Sequence, residues 1–238
     1  MSAPTTAMVF AAGLGTRMRP LTDDRPKALV EVAGRPLIGH MLDRLADAGV
    51  ATAVVNVHYF ADRLETYLTG RTRPRIILSD ERAELLETGG GLKKAWPLLG
   101  EDPVWVVNTD SVWIEHGASA LGALVEAWDP QRMDVCLLLA DMDRSLGFDG
   151  PGDAFVEEGR LRFRGEARTA PYAYMGVHIC KPGIVDAGPD GPFSLTRIWR
   201  PLAEQGRIGA AVLDGTWMHV GDPAARDAAE ALLKAPQA

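Results

Sequence analysis

The stretch "MVFAAGLGTRMRPLTDDRPKAL", Met8 to Leu29, decides the reading of the chain. An apolar run ends in a turn holding Gly13 and Gly15, and Arg17, Arg19, Arg25 and Lys27 follow closely. The run Ala7 to Ala11 is too short for a helix and is bounded by glycine, so it predicts a buried strand. Roughly 20 residues without periodicity then precede the next element, and loops of that length in compact domains are usually functional or disordered.

Outward from this stretch the pattern alternates. In "GRPLIGHMLDRLADAGV" Ile38, Met41, Leu42 and Leu45 repeat at helical spacing, with Pro36 suited to the first turn and Gly49 to the C-terminal cap. Strands follow in "TAVVNV", "RIILS", "VWVVN" and "DVCLLLA", separated by helices in "ADRLETYL", from "GGGLKKAW" and in "ASALGALVEAW". Such alternation predicts an α/β chain, a Rossmann-like α/β/α sandwich whose central sheet is mainly parallel. After Asp141 the rhythm changes to a hairpin turning at Glu158-Gly159, a strand in "AYMGVHIC", a helix in "LTRIWRPLAEQ", a strand in "IGAAVL" and a last helix in "PAARDAAEALLK". With no repeat or low-complexity linker, residues 1–238 read as one domain with a small β insertion.

Composition bounds the function. The 238 residues are 47% hydrophobic, enough for a sizeable core, and the formal charge of −7 argues against a general nucleic-acid or membrane-surface role. The start "MSAPTT" has no targeting pattern and no run is long enough to span a membrane, so a cytoplasmic location is expected. Cys136 and Cys180 lie in apolar strand-like runs without metal-ligand spacing and read as buried thiols. Against this acidic background the basic cluster is the exception. A loop leaving the carboxyl end of the first strand lies where ligands bind in such sheets. Gly13 and Gly15 would let backbone N–H groups approach an anion, and Arg17 and Lys27 would supply charge-assisted hydrogen bonds. The plainer reading is a solvated surface loop, which a lone Gly-x-Gly would favour. A dinucleotide fingerprint fails at Met18, where a third glycine is needed, and a P-loop fails at "PKA".

The segment "AAGLGTRMRPLTDDRPKALVEVAGRPLI" resembles the hallmark of the sugar nucleotidylyltransferases, Gly-x-Gly-Thr-Arg-(x)-x-Pro-Leu-Thr followed by Pro-Lys. The order of elements resembles that family from Met8 to about Leu233. The resemblance implies attack of a sugar 1-phosphate on the α-phosphorus of a nucleoside triphosphate, with pyrophosphate leaving. It implies a nucleotide site at Ala11, Ala12, Gly13, Gly15, Thr16, Arg17 and Gly89, with residues 1–110 as the nucleotide part and 111–238 as the sugar-phosphate part. Arg17 would stabilise the α-phosphate and the departing pyrophosphate, and Lys27 would bridge the two substrates' phosphates. Arg19 and Arg25 stay open between phosphate support and surface charge.

Further motifs carry the same resemblance. "LLETGGGLKKAW" has three glycines where a helix start needs one, and the family binds base or sugar through such a segment. Glu87, Thr88 and Gly90 are therefore sugar-phosphate candidates. "VWVVNTDSVW" ends a strand with Asn108 and Asp110; as a turn it would be unremarkable, but the family uses this Asp to hold Mg²⁺ and the Asn near the sugar or its phosphate. Tyr174 and Gly176 in "PYAYMGVHIC" are candidates for the sugar pocket, with core tyrosine and strand glycine as the alternatives.

The family's closing motif, Trp-x-Asp-(Val/Thr)-Gly, reads "WMHVG" here, with His219 where the second metal-binding Asp is expected. Mg²⁺ prefers oxygen ligands, so His219 contacts phosphate or a metal-bound water, or the metal rests on Asp110 and the nucleotide, or Mn²⁺ serves instead. The lost Asp also motivates a non-catalytic nucleotide-sugar-binding regulatory protein as the reading from another class. The compact length and these motifs look most like the short N-acetylmuramate-1-phosphate uridylyltransferases of bacterial cell-wall (peptidoglycan) recycling. Mannose- or heptose-1-phosphate guanylyltransferases are the runner-up. A lactyl carboxylate on the sugar would call for a nearby cation, and Arg164 and Arg168 are candidates by proximity in sequence, against the plainer reading of solvated hairpin arginines.

Overall fold

The computed structural model describes residues 2–235. The first half of the chain forms β1 (Thr6–Phe10), β2 (Glu31–Val32), β3 (Arg35–Pro36), α1 (Leu37–Asp47), β4 (Thr52–Val57), α2 (Ala61–Thr69), β5 (Arg75–Asp80), α3 (Glu87–Leu99) and β6 (Val104–Asn108). The second half adds β7 (Ser111–Glu115), α4 (Ala120–Ala127), β8 (Val135–Asp141), β9 (Ser145–Leu146), β10 (Ala154–Glu157) and β11 (Arg160–Phe163). It ends with β12 (Tyr172–Cys180), α5 (Thr196–Glu204), β13 (Ile208–Val212), β14 (Gly215–His219) and α6 (Pro223–Lys234).

Nine strands make one mixed sheet in the order β10-β11-β13-β8-β12-β6-β1-β4-β5. The expected parallel core is present: β1 pairs in parallel with both β4 and β6, and β4 with β5. β12 runs antiparallel between β6 and β8. The side chains alternate as a sheet covered on both faces requires. Ala7, Val9, Val55 and Val107 face one core with Ile38 and Met41 of α1 and Leu64 of α2. Met8, Val54 and Val106 face the other with Leu92 of α3 and Ile198 of α5.

Two features were not visible in the sequence pattern. The hairpin of β10 and β11 extends the edge of the central sheet instead of forming a separate insertion, while β7, β14 and β9 form a three-stranded sheet of their own. The long loop after β1 is also ordered, with 3₁₀ turns at Thr16–Met18 and Lys27–Leu29. Met18 is fully buried against Val30, Leu37, Val112 and Met218, a third core that fastens the loop to the small sheet. Burial of such a side chain contributes about 1.5–3 kcal/mol. The chain moves from β1 to β4 and β5 on one side and returns to β6 on the other, so a crevice opens outside the carboxyl ends of β1 and β6. No helix among the described residues is long and apolar enough to cross a membrane.

Candidate active site

A cleft of ≈ 290 Å³ lies in that crevice. Its walls are Phe10 to Gly13 after β1, Lys27 and Ala28 of the second 3₁₀ turn, Leu85, Glu87 and Thr88 at the start of α3, and Asn108 to Asp110 after β6. Asn56 and Glu81, from the ends of β4 and β5, complete it.

The loop after β1 is shaped by Gly15. Its φ of 61° is left-handed, and a Cβ there would lie 3.0 Å from Thr22 Cγ2 and 3.1 Å from Lys27 Cβ. The Gly15 carbonyl accepts from the Thr22 hydroxyl at 2.8 Å and from the Met18 N–H at 2.9 Å, which turns the loop back over Lys27. Gly13 and Arg17 are exposed and Thr16 is exposed beside them, and Arg17 makes no ion pair among the described residues. Arg19 pairs with Asp23 at 3.6 Å, and Arg25 with Asp24 at 2.8 Å. Asp24 also takes Arg63 at 3.3 Å. Arg19 and Arg25 are thus paired with acids of their own loop.

At the centre, Lys27 Nζ donates to Asp110 Oδ2 at 2.8 Å. His219 Nε2 lies 3.5 Å from the same oxygen. The antiparallel register of β14 on β7 sets His219 opposite Ser111, next to Asp110, and the Val220 N–H binds the Asp110 carbonyl at 2.8 Å. Burial pushes the Asp110 carboxyl up, but the contacts from His219 and Lys27 outweigh it and hold the group well below the usual carboxylate range. The other His219 nitrogen, Nδ1, stands 3.1 Å from the Gly147 carbonyl, which can only accept, so the Nδ1 proton is fixed there. Among the described residues no group of three or more His, Cys, Asp or Glu side chains could hold a metal ion. Asp110 Oδ2 and His219 Nε2, 3.5 Å apart, are two donors that could hold a divalent ion only if its remaining ligands were substrate oxygens and water.

The sugar-side candidates divide. Gly176, at φ 77°, interrupts the β12–β8 register, and a Cβ there would lie 2.8 Å from Asn108 Nδ2. The glycine thus lets Asn108 settle against β12. The Tyr174 hydroxyl is 2.7 Å from His178 Nδ1, and both rings pack edge-on against Trp199 with centroids 5.1 Å away. Burial pushes the His178 imidazole down to about 3, so it is neutral. Glu87 opens α3 at φ 62°, a conformation costing a non-glycine residue about 1 kcal/mol, and stands at the cleft lip. Thr88 lines the cleft while its hydroxyl accepts from the Leu195 N–H at 3.0 Å.

The triple glycine behaves differently from the expectation. The N–H groups of Gly89 and Gly90 donate to the Phe193 carbonyl at 2.7 and 3.2 Å, so they are engaged within the protein and not held out to a ligand. A Cβ at Gly89 would meet the Phe193 ring at 2.2 Å, one at Gly90 the Gly191 carbonyl at 2.4 Å, and one at Gly91 the Glu81 carboxylate at 2.9 Å. Close packing of α3 explains all three. Arg164 is likewise engaged, with the Gly152 and Ala167 carbonyls at 3.0 and 2.6 Å, while Arg168 is exposed. Cys136 and Cys180 are free, buried thiols.

Residues 7–146 match the pattern of the MobA-like NTP transferase domain. The chain belongs to this family. The transferase is 61% identical, over 97% of its own length and 98% of the relative's, to a Caulobacter vibrioides protein named N-acetylmuramate alpha-1-phosphate uridylyltransferase. It is 34% identical to the Neisseria meningitidis protein of that name, over 96% of this chain and 98% of that one. Among solved structures it resembles the inositol-1-phosphate CTP transferase of T. maritima, with a TM-score of 0.78 at 18% identity over 99% and 98% of the two chains. That likeness shows the shared fold. Transferases of this kind generally work with a divalent metal ion.

Proposed function

We propose that this transferase joins UTP and N-acetylmuramate 1-phosphate to give the UDP-sugar and pyrophosphate. The observation that carries the reading is the Lys27–Asp110 pair in the wall of the cleft, with His219 against the same Asp110 oxygen and, on the loop that ends at Lys27, an exposed Arg17 without an ion pair among the described residues. Similarity to the Caulobacter vibrioides protein over nearly the whole of both chains supports the choice of substrates.

In this reading the sugar phosphate attacks the α-phosphorus in line, and the protein contributes position and charge without a covalent intermediate. Ala11, Ala12, Gly13, Gly15 and Thr16 shape the nucleotide site. Arg17 closes on the triphosphate and offsets the charge that grows on pyrophosphate as it leaves. Lys27 lies between the phosphates of the two substrates and draws them together. Glu87, Thr88, Asn108, Tyr174 and Gly176 form the sugar side, with residues 1–110 mainly serving the nucleotide and 111–238 the sugar. Gly89 and Gly90 contribute by letting α3 approach. Asp110 and His219 would hold the Mg²⁺, or Mn²⁺, which when bound supplies positive charge to the triphosphate oxygens.

Product identity tests the reading. Incubation with UTP, N-acetylmuramate 1-phosphate and Mg²⁺, followed by ³¹P NMR, is expected to show the paired resonances of a diphosphate ester together with pyrophosphate. Unchanged substrate resonances would rule the proposal out.

A further inference from the structure

Glu81 is fully buried, yet among the described residues no cationic side chain pairs with it. A carboxylate in the wall of a cleft meant for polyphosphate works against ligand binding unless it has another task. Its contacts show one. Glu81 Oε1 accepts from Asn56 Nδ2 at 2.8 Å, and Oε2 accepts from the Leu86 N–H at 3.3 Å. Asn56, itself buried, uses its Oδ1 to accept from the N–H groups of Ala11 at 2.7 Å and Ala12 at 3.2 Å. One carboxylate is therefore connected, through a single amide, to the start of the nucleotide loop and directly to the residue before Glu87. Gly91 leaves the room this needs, since a Cβ there would crowd both Glu81 Oε1 and Asn56 Nδ2.

We propose that Glu81 is a positioning residue that holds the nucleotide loop and the Glu87–Thr88 lip in one register. The proposal rests on the reading of the cleft as the transferase site. The site requires two acceptor oxygens at this point because both partners facing them are donors. Glutamine offers one acceptor and turns an NH₂ toward the other donor. Conversely, aspartate at position 56 sets two buried carboxylates against each other. Exchanging the two groups restores every bond. The carboxylate introduced at position 56 would accept from Ala11 and Ala12 and from the amide introduced at position 81, whose oxygen would accept from Leu86.

The experiment compares Glu81→Gln, Asn56→Asp and the double exchange, reading KM for UTP, kcat, and amide hydrogen exchange at Ala11, Ala12 and Leu86. Each single variant is expected to raise KM for UTP about tenfold and to speed exchange at those amides, as one unsatisfied buried group implies. The double exchange is expected to return both within about threefold of wild type. A purely electrostatic role predicts the opposite sign for Glu81→Gln, tighter UTP binding, and that result would overturn the proposal. So would a folded double variant no better than the singles. Should a single variant fail to fold, the double variant alone decides. A wild-type enzyme without turnover would bring down the reading of the site instead, and the exchange rates would still decide the network.

Discussion

Lys27 and Asp110, 83 positions apart in the chain, form an ion pair of 2.8 Å with side chains only 15% and 22% exposed. The pair holds together the first loop and the end of β6, the two walls that the proposed reaction brings onto one α-phosphate. Asp110→Asn keeps the shape and removes the charge. It is expected to lower kcat by about a thousandfold while circular dichroism stays that of the wild type. Retained turnover in a folded variant would take Asp110 out of the chemistry.

His219 faces the same Asp110 oxygen that Lys27 does, and in the proposed function it completes the metal site. Replacing His219 by Asp supplies a second hard oxygen, and the Mg²⁺ concentration giving half-maximal activity is expected to fall about tenfold. An unaltered Mg²⁺ requirement would place His219 outside the metal shell.

Among the loop arginines the ion pairs set an order. Arg17→Ala is expected to reduce kcat/KM for the triphosphate by about a hundredfold. Arg19→Ala and Arg25→Ala remove side chains already paired with Asp23 and Asp24, and each is expected to stay within about threefold of wild type. Steady-state kinetics of the three variants checks the ranking, and equal losses would refute it.

The neutral, buried His178 makes the fold sensitive to acid. Its folded value lies near 3, below the ordinary 6.5, so protons bind the unfolded chain preferentially. The stability it contributes is complete above about pH 6.5 and is lost as the pH falls toward 3, at up to about 1.4 kcal/mol per pH unit. Urea unfolding from pH 7 to 4 is expected to show a smaller decline for His178→Gln than for wild type. Parallel declines would show that other groups set the acid sensitivity.

The sequence made some of this site legible and hid the rest for a physical reason. Gly15, Arg17, Lys27 and Asp110 sit in short patterns that resemble the motifs of the sugar nucleotidylyltransferases, and the alternating strands and helices place those patterns at the carboxyl edge of a sheet. Asn56 and Glu81 stand in "VVNVHY" and "LSDERA", where nothing local marks them. Their meaning arises from bonds spanning 25 to 45 positions. The triple glycine shows the same limit. The neighbours that require Gly89 and Gly90 are Phe193 and Gly191, over a hundred positions away, and only the folded chain brings them together. The pairing of β14 with β7 was hidden too, because "GTWMH" and "SVWIE" are short strands recognisable only by each other.

The central claim is tested most directly by pyrophosphate release with a matrix of triphosphates and sugar 1-phosphates in Mg²⁺. UTP with N-acetylmuramate 1-phosphate is expected to give the highest kcat/KM, at least about tenfold above GTP with mannose 1-phosphate. A preference for the guanylyl pair, or tight binding of a UDP-sugar with no release from any pair, would contradict the account.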